Sequence, residues 1–269
     1  MSLKIVVLAK QVPDTRNVGK DAMNADGTIN RAALPAIFNP EDLNALEQAL
    51  RLKDTHPGST VTILTMGPGR AAEIIREGLY RGADNGYLLT DRAFAGADTL
   101  ATSYAIATAI RKIGECDLII GGRQAIDGDT AQVGSQIAEK LDIPQVSYAA
   151  DVKIEGTTVT VKRALEDGYM TIETQTPCLL TCIKELNEPR YMSIKGIMGC
   201  YDKPIAVYDY NTLKDDPLID PTTIGLKGSP TNIFKSFTPP QKGQGKMLEG
   251  ADKATCDELV AELQKKHII

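Results

Sequence analysis

Two patterns of apolar and polar residues take turns along the first 145 positions, and together they predict alternating strands and helices. Continuous apolar runs such as LKIVVLA (3–9), rich in Val and Ile, are typical of strands buried on both faces. Between them, leucines and alanines recur at helical spacing, as after Asn39, the predicted N-cap of a helix that starts at Pro40. The predicted strands are 3–9, 60–66, 86–91 and 116–122, the helices are 39–54, 70–83, 98–113 and 130–141, and a hairpin turn is predicted at NADGT (24–28). Short connections between such elements predict a parallel sheet covered by helices on both sides.

A different pattern begins after Pro144. From 146 to 183 apolar and polar residues alternate with a period of two, broken by the turn signals EG and EDG, which predicts antiparallel strands extending the sheet. From 201 to 247 the periodicity fades and six of the fourteen prolines occur, a stretch too long for a simple connection. An amphipathic helix follows at 257–268, so we expect an arm that wraps around a partner, with a disordered tail as the alternative. The predicted domains are therefore an α/β domain at 1–200 and an arm with its helix at 201–269.

Composition narrows the classes of function. With 42% hydrophobic and 24% charged residues, the 269-residue chain resembles an ordinary globular protein, and its net charge of −5 argues against nucleic-acid binding. No apolar run is long enough for membrane insertion or for a signal peptide, so we expect a cytoplasmic protein. The five cysteines form no CxxC pair and the chain has only two histidines, so no metal centre and no Ser–His–Asp triad are expected. Any redox chemistry must then come from a bound cofactor.

Three predicted strands end in turn-forming or polar residues, at 8–12, 66–69 and 121–129. Ligands of parallel α/β sheets bind beyond the carboxyl ends of the strands, so these ends predict the rim of a pocket. The segment GPGRAA (67–72) fits the dinucleotide fingerprint G-x-G-x-x-A, but Pro68 lies within it. A tight turn beside the pocket is therefore favoured over a pyrophosphate site.

The stretch GGRQAIDGDTAQVGSQIAEKL (121–141) is the stronger candidate for a binding site. Its two leading glycines permit close approach of a ligand, and a helix from Thr130 onward offers unpaired N–H groups to an anion. Arg123 adds a positive charge, Asp129 suits the N-cap, and Asp127 can accept from ribose hydroxyls or brace the loop. A well-capped helix that holds no ligand is the alternative. The sequence contains neither a P-loop nor a G-x-S-x-G motif.

The segments NPED (39–42), GRQAIDGDTAQVG (122–134) and LNEPRY (186–191) resemble the beta subunit of electron transfer flavoprotein, and they occur in the same order along the chain. The resemblance covers nearly the full chain and implies a Rossmann-like fold of the adenine-nucleotide-hydrolase type. In the simple carriers of that family the subunit holds a structural AMP, and in the bifurcating and nitrogen-fixation kinds it holds a whole FAD. Three segments resemble the second kind: KQVPDT (10–15), LLTDRAFAGADTLATS (88–103) and DGDTAQVG (127–134). The chain departs from that kind at Ser135, where proline is often found.

The resemblance also implies a function. The FAD of this subunit would accept a hydride from NADH, passing one electron to ferredoxin or flavodoxin. The other electron would go through a second FAD, held largely by the alpha subunit, to an acyl-CoA dehydrogenase. The heterodimer, and not this chain alone, would be the NADH-dependent oxidoreductase, and no side chain would act as acid or base. Three alternatives remain: the AMP-holding carrier subunit, a nucleotide-binding regulator or adenylating enzyme, and an NAD dehydrogenase that uses GPGRAA but lacks an identifiable proton-transfer residue.

The family's functional residues map onto four groups of positions in this chain. The resemblance implies that the adenosine side is lined by Leu8, Ala9, Asn39, Asp42, Met66 and Gly67. It implies that ribose and phosphates are held by Gly122, Arg123, Gln124, Asp127, Gly128, Asp129, Thr130, Gln132 and Val133. The flavin ring would lie near Lys10, Gln11, Asp14, Phe94, Ala97, Asp98 and Thr99. Docking on the dehydrogenase is assigned to the loop NEPRYMSI (187–194), with Ile194 as the apolar anchor after Asn187, Glu188, Pro189, Arg190 and Tyr191.

Overall fold

The computed structural model describes residues 1–14, 35–231 and 243–269, so the hairpin turn predicted at 24–28 lies outside the described residues. Its strands are β1 (Lys4–Ala9), β2 (Gln11–Pro13), β3 (Ala36–Phe38), β4 (Thr60–Met66), β5 (Asn85–Leu89), β6 (Leu118–Gly122), β7 (Gln145–Glu155), β8 (Thr158–Leu165), β9 (Gly168–Gln175), β10 (Cys178–Cys182) and β11 (Ile205–Tyr208). Its helices are α1 (Pro40–Thr55), α2 (Ala72–Arg81), α3 (Thr99–Ile113), α4 (Val133–Leu141), α5 (Ile194–Gly199), α6 (Tyr210–Leu213) and α7 (Lys253–Lys265).

A nine-stranded sheet forms the centre of the fold, in the order β11-β5-β4-β1-β6-β10-β7-β8-β9. The first seven strands in this order run parallel, and β8 and β9 continue the sheet as antiparallel strands. In the middle, Val7 of β1 lies opposite Ile63 of β4 and Ile120 of β6, and all three side chains are fully buried. The predicted α/β class, with a parallel sheet, flanking helices and an antiparallel extension, is confirmed.

Helices cover both faces of the parallel strands. Leu46 and Leu50 of α1 belong to one buried cluster together with Ile75 and Leu79 of α2. Ile106 of α3 and Ile137 of α4 belong to a second cluster on the sheet. Because both faces of the central strands are covered, their sequences read as continuous apolar runs instead of alternating ones.

One predicted strand direction is wrong. The stretch 146–183 was expected to be antiparallel throughout, but β10 lies between β6 and β7 and runs parallel to both. All five residues of its sequence, CLLTC, are buried. A short apolar run of this kind is typical of an internal parallel strand. The antiparallel strands differ, since β8 starts with alternating burial and β9 contains no buried residue.

The sheet continues past residue 200, where the sequence places the start of the arm. Strand β11 pairs in parallel with β5 at one edge of the sheet. Beyond it, Leu213, Ile219 and Ile224 are buried in the same cluster as α3. Helix α7 contributes no buried residue, which leaves its apolar side chains open to a partner. Among the helices of the described residues, none combines the length and apolar character that crossing a bilayer requires.

Candidate functional site

The carboxyl ends of β1, β4 and β6 open into one cavity of about 520 Å³. This volume falls within the range of roughly 300–1,000 Å³ that is typical of small-molecule sites. The three strand ends that the sequence singled out, at 8–12, 66–69 and 121–129, all contribute lining residues. The turn that contains GPGRAA also lies at the cavity wall, where Pro68 and Arg70 line it.

Every residue predicted to bind the cofactor lines this cavity except Asn39 and Asp129, and of the two further flavin-side residues Gln11 lines it but Asp14 does not. Lining shows proximity, and the individual contacts with a ligand stay predictions. Sequence reasoning assigned no role to seven further lining residues, Pro13, Ala36, Leu64, Gly96, Thr102, Ile106 and Gly134. Apart from the predicted cofactor residues, the other lining residues belong to the strand ends, the GPGRAA turn and the stretch 121–133 that the sequence singled out.

Asp42, in the first turn of α1, joins the ends of two strands beside the cavity. Its Oδ2 accepts a hydrogen bond from the backbone N–H of Lys10 (2.8 Å), and its Oδ1 accepts one from Gly122 (2.9 Å). Burial raises the pKa of Asp42 to about 7, against the opposing effect of hydrogen bonds from Asn39, Lys10 and Gly122. A Cβ on Gly122 would lie 2.5 Å from Oδ1 of Asp42, so only glycine permits this approach.

The first turn of α1 also holds the loop that follows β6. Asn39 precedes α1 as predicted, but its side chain makes no capping hydrogen bond, so that part of the prediction is wrong. Its Nδ2 donates to the carbonyl of Gln124 (2.9 Å) and its Oδ1 accepts from the N–H of Ile126 (3.1 Å). Glu41 accepts from the N–H of Gln124 (3.1 Å) and pairs with Arg123 (3.0 Å). The polar residues at the start of α1 therefore shape the cavity wall, which we call the α1 wall.

Helix α4 begins at Val133 with Gln132 at its N-cap, three residues later than predicted, and Asp129 is not its cap. Asp129 and Ala131 have φ values of +48° and +52°, a left-handed conformation that interrupts the helical path before Gln132. The side chain of Asp129 accepts from Nε2 of Gln124 (2.9 Å) instead. Non-glycine residues in this conformation concentrate at functional sites, because the strain must be supported by surrounding structure.

The two aspartates of this loop brace it. Asp127 is almost buried, with 6% of its side chain exposed, and its Oδ1 lies 2.7 Å from Nζ of Lys10. This pair ties the loop after β6 to the end of β1 across the cavity rim. Of the two roles considered for Asp127, the bracing role has a contact in the structure, and acceptance from ribose stays a prediction.

The chemistry of the wall suits an anionic ligand. Arg123 lines the cavity, and its buried Nε has no hydrogen-bond partner among the described residues. Buried donors are almost always paired in folded proteins, so this N–H is a candidate donor to a ligand, beside the ion pair that Arg123 makes with Glu41. Val133 and Gly134 of the first turn of α4 line the same cavity, and the first N–H groups of a helix lack intrahelical partners.

A second part of the cavity lining comes from the 91–98 loop, through Phe94 and residues 96–98, and residues after 200 hold this loop in place. The N–H of Asp98 donates to Oγ of Ser229 (2.8 Å), and the N–H of Thr231 donates to Oδ2 of Asp98 (3.1 Å). The N–H of Leu226 donates to the carbonyl of Ala95 (3.0 Å). Although burial opposes the effect, hydrogen bonds from Ala101 and Thr231 hold the pKa of Asp98 below its ordinary value.

The predicted docking loop has one side attached to the domain and one side exposed. Asn187 and Arg190 contact α1 through hydrogen bonds and an ion pair. Tyr191 is 93% exposed and Ile194 is 80% exposed. Exposed apolar side chains grouped on a short segment are typical of an interaction surface, and the sequence had placed its apolar anchor at Ile194.

The fold and the site define an α/β protein with a ligand cavity at the carboxyl ends of its parallel strands. Residues 26–213 match the electron transfer flavoprotein domain. The chain is 60% identical over 270 residues to the acryloyl-CoA reductase electron transfer subunit gamma of Anaerotignum propionicum, covering 99% of this chain and 100% of that one. It is 52% identical over 268 residues to the caffeyl-CoA reductase-Etf complex subunit CarD of Acetobacterium woodii (99% and 100% covered), and 41% identical over 272 residues to protein FixA of Azorhizobium caulinodans (98% and 95% covered).

The chain belongs to the electron transfer flavoprotein family, among its beta subunits, and its role is in electron transfer. The family resemblance predicted from the sequence is thereby confirmed. Two of the three relatives carry in their names a role in an acyl-CoA reductase system.

Proposed function

We propose that this chain is the beta subunit of a bifurcating electron transfer flavoprotein and holds a complete FAD in the cavity between the α1 wall and the 91–98 loop. One observation carries the proposal: a single continuous cavity is lined by residues of both predicted groups. Ala9, Met66 and Gly122 lie on the side assigned to adenosine and phosphate, and Phe94 and Ala97 lie on the side assigned to the flavin ring. AMP requires only the first of these sides.

The polar groups of the cavity assign parts of the cofactor to parts of the chain. The diphosphate is assigned to Arg123 and to the first turn of α4, where a buried donor and free helical N–H groups are available. The ring is assigned to the neighbourhood of Phe94 and Asp98. When bound, FAD supplies the hydride and one-electron chemistry that no side chain of the described cavity provides. The chain's part is to bind, orient and shield the cofactor.

The proposed electron donor is NADH, and the proposed acceptors are ferredoxin or flavodoxin and an acyl-CoA dehydrogenase or reductase reached through the alpha subunit and its FAD. The names of the relatives support an acyl-CoA reductase as partner. We assign the docking surface to the loop 187–194, because its apolar side chains are exposed while its base is fixed. The exposed helix α7 and the segment before it are proposed to contact the alpha subunit in a cytoplasmic heterodimer.

A cofactor count of the purified heterodimer tests the proposal. We expect two FAD molecules and no AMP for each pair of subunits, measured by absorbance after denaturation and by chromatography of the released nucleotides. One FAD with one AMP would contradict the proposal and support the simple carrier. ATP binding by a chain that carries no flavin would support the regulator or adenylating enzyme instead.

Anaerobic reduction by NADH tests the coupling. We expect ferredoxin to be reduced only when the acyl-CoA reductase and its oxidised substrate are also present. Ferredoxin reduction that proceeds at the same rate without this acceptor would show that the two electron paths are independent, which the proposal does not allow.

A further inference from the structure

A buried carboxylate outside the cavity makes contacts that the proposed cofactor chemistry does not use. Glu47 lies in the middle of α1, and the residue is 4% exposed. Its Oε2 accepts from Nε of Arg190 (2.7 Å) and from the backbone N–H of the same residue (3.1 Å), and its Oε1 accepts from Nη2 of Arg190 (3.2 Å). Arg51, one turn further along α1, donates to Oε1 (2.8 Å). The two parallel bonds from Nε and Nη2 of Arg190 to the Glu47 carboxylate fix the direction of the Arg190 side chain as well as its distance.

A second set of contacts ties the same loop to the same face of α1. Nδ2 of Asn44 donates to the carbonyl of Asn187 (2.7 Å), and Nδ2 of Asn187 donates to the carbonyl of Asn44 (3.0 Å). Asn44 and Glu47 are three residues apart and therefore neighbours on one helix face. Both ends of the segment 187–190 are thus attached to α1, the helix whose first turn forms the α1 wall.

Immediately after this attachment the chain is exposed and apolar. Tyr191, Ile194 and Met198 are 93%, 80% and 75% exposed, respectively. An exposed loop that becomes ordered on binding loses conformational entropy. A loop that is already held in its binding conformation avoids this cost. A buried ion pair of this kind is weak support for stability, since desolvation of the two charges offsets much of their attraction. Its geometry instead determines where the loop leaves the domain.

We propose that Glu47 is a positioning residue for partner docking: by holding Arg190 it directs the apolar residues that follow it toward the acyl-CoA reductase. The identity of that partner rests on the proposed function, whereas the attachment of the loop does not. Glu47 touches no cavity-lining residue through its carboxylate in the hydrogen bonds and ion pairs of the described chain. The effect is therefore on docking, with cofactor content unchanged.

Two matched arginine variants test the attachment without any partner. Arg190→Gln removes the ion pairs of Arg190 with Glu47 and with Asp54, whereas Arg51→Gln removes one ion pair with Glu47 outside the loop. Asp54→Asn removes the Asp54 pair alone, so an effect that Arg190→Gln and Glu47→Gln share and Asp54→Asn lacks belongs to Glu47. On the complete heterodimer we expect amide hydrogen exchange in the peptide 187–194 to become about tenfold faster or more in Arg190→Gln and in Glu47→Gln, as for loss of a charged hydrogen bond. Arg51→Gln is expected to exchange as the wild type does. Equal exchange in Arg190→Gln and wild type would overturn the proposal, and because 33% of the Arg190 side chain is exposed this variant decides even if Glu47→Gln fails to fold.

Docking is measured with the acryloyl-CoA reductase of Anaerotignum propionicum as the probe, using NADH-driven electron transfer at increasing reductase concentration. We expect Arg190→Gln to raise the KM for the reductase at least about fivefold, in line with loss of pre-organisation at an interface, with kcat, flavin content and the NADH reduction rate of the flavins unchanged. An equal fall in kcat and flavin content would mean a merely structural role and would overturn the proposal. If the wild type itself does not dock, the proposed partner class is wrong, and the exchange measurement alone decides whether Glu47 positions the loop.

Discussion

The two sides of the cavity are built in different ways. On the α1 wall, Asn39, Glu41 and Asp42 bond to the ends of β1 and β6, so every contact comes from the first 126 residues. The 91–98 loop is held instead by residues that come more than a hundred positions later, through Tyr210, Leu226, Ser229 and Thr231. One side belongs entirely to the parallel domain, and the other depends on residues 210–231, which the sequence assigns to the arm.

This difference links the proposed flavin site to the part of the chain that is proposed to contact the alpha subunit. An adenine mononucleotide that contacts only the α1 wall is expected to be indifferent to changes in 210–231. A whole FAD spans both sides and is expected to respond to either. The ratio of AMP affinity to FAD affinity, measured on the heterodimer after cofactor removal, therefore reports which side a substitution has disturbed.

Gly122→Ala is expected to have the largest effect, because it acts where the α1 wall and β6 approach most closely. The added Cβ would lie 2.5 Å from Oδ1 of Asp42 and 2.8 Å from the backbone carbon of Glu41. Overpacking at such a site costs about 1–3 kcal/mol, so AMP and FAD affinities are both expected to fall roughly ten- to hundredfold. Isothermal titration of each nucleotide provides the measurement. Gly69→Ala, where a Cβ meets no atom within 4 Å, is the control, and unchanged AMP binding in Gly122→Ala would contradict the assigned wall.

Gly225→Ala is expected to act on the other side alone. Gly225 has φ +58°, and a Cβ there would lie 2.1 Å from the carbonyl oxygen of Ala93, so the segment must move away from the 91–98 loop. We expect FAD affinity to fall roughly tenfold, as for about 1–2 kcal/mol of transmitted strain, with AMP affinity unchanged. Gly156→Ala is the matched control, since Gly156 has φ +63° and no atom within 4 Å of the added Cβ. A parallel loss of AMP binding would show that the two sides are not independent.

The same contrast explains how much of the site could be predicted from the sequence. The strand ends could be placed because each follows a continuous apolar run, and parallel strands bring their carboxyl ends to one edge. The roles of Asn39 and Asp129 could not be predicted, since any polar residue beside a helix start resembles a cap whether or not its side chain faces the helix. Ser229 gave no signal, because it lies in a stretch without periodicity and meets Asp98 across 131 positions.

The position of β10 was missed for a related reason. A five-residue apolar run indicates burial, but its neighbours in the sheet depend on the path of the chain around it. Glu47 was missed because a single acid inside an apolar helical pattern is ordinarily a solvated residue, whereas here 4% of it is exposed and it binds Arg190. Periodicity predicts the elements and the edge where the ligand binds, while contacts between distant segments require the structure.

Asp42 gives the α1 wall a dependence on pH near neutrality, whereas the pKa of Asp98 on the other side is lowered and its dependence lies at acid pH. Its pKa is raised from 3.8 to about 7 in the folded chain, chiefly by burial. Stability from this group is therefore fully present below its unfolded pKa and is lost as the pH rises through about 7. Asp42→Asn removes this dependence, so the unfolding free energy of wild type minus variant is expected to grow by about 2 kcal/mol from pH 8 to pH 5. Chemical denaturation of the heterodimer across this range provides the measurement, and a constant difference would mean that Asp42 does not titrate in it.

Ser229→Ala is expected to have the smallest effect, and that effect is expected to be confined to the flavin side of the cavity. Oγ of Ser229 accepts from the N–H of Asp98 (2.8 Å) and donates to the carbonyl of Gly225 (2.7 Å), so the substitution removes one of the bonds that hold the 91–98 loop by taking away a single oxygen. Loss of such a bond costs about 1 kcal/mol, or roughly a fivefold lower FAD affinity, and AMP affinity should not change. Ser103→Ala is the control, because its buried hydroxyl donates to the carbonyl of Leu100 within α3.

Competition between the two nucleotides in a single titration distinguishes a local effect from a general one. If Ser229→Ala lowers FAD affinity while Ser103→Ala does not, the first part of the predicted arm helps to hold the flavin side. The arm's own contacts can then act on the flavin through one hydrogen bond to Asp98. If both serine variants behave as the wild type does, the 91–98 loop keeps its shape without Ser229, and the link between the arm and the flavin side has to run through Leu226 and Gly225 instead.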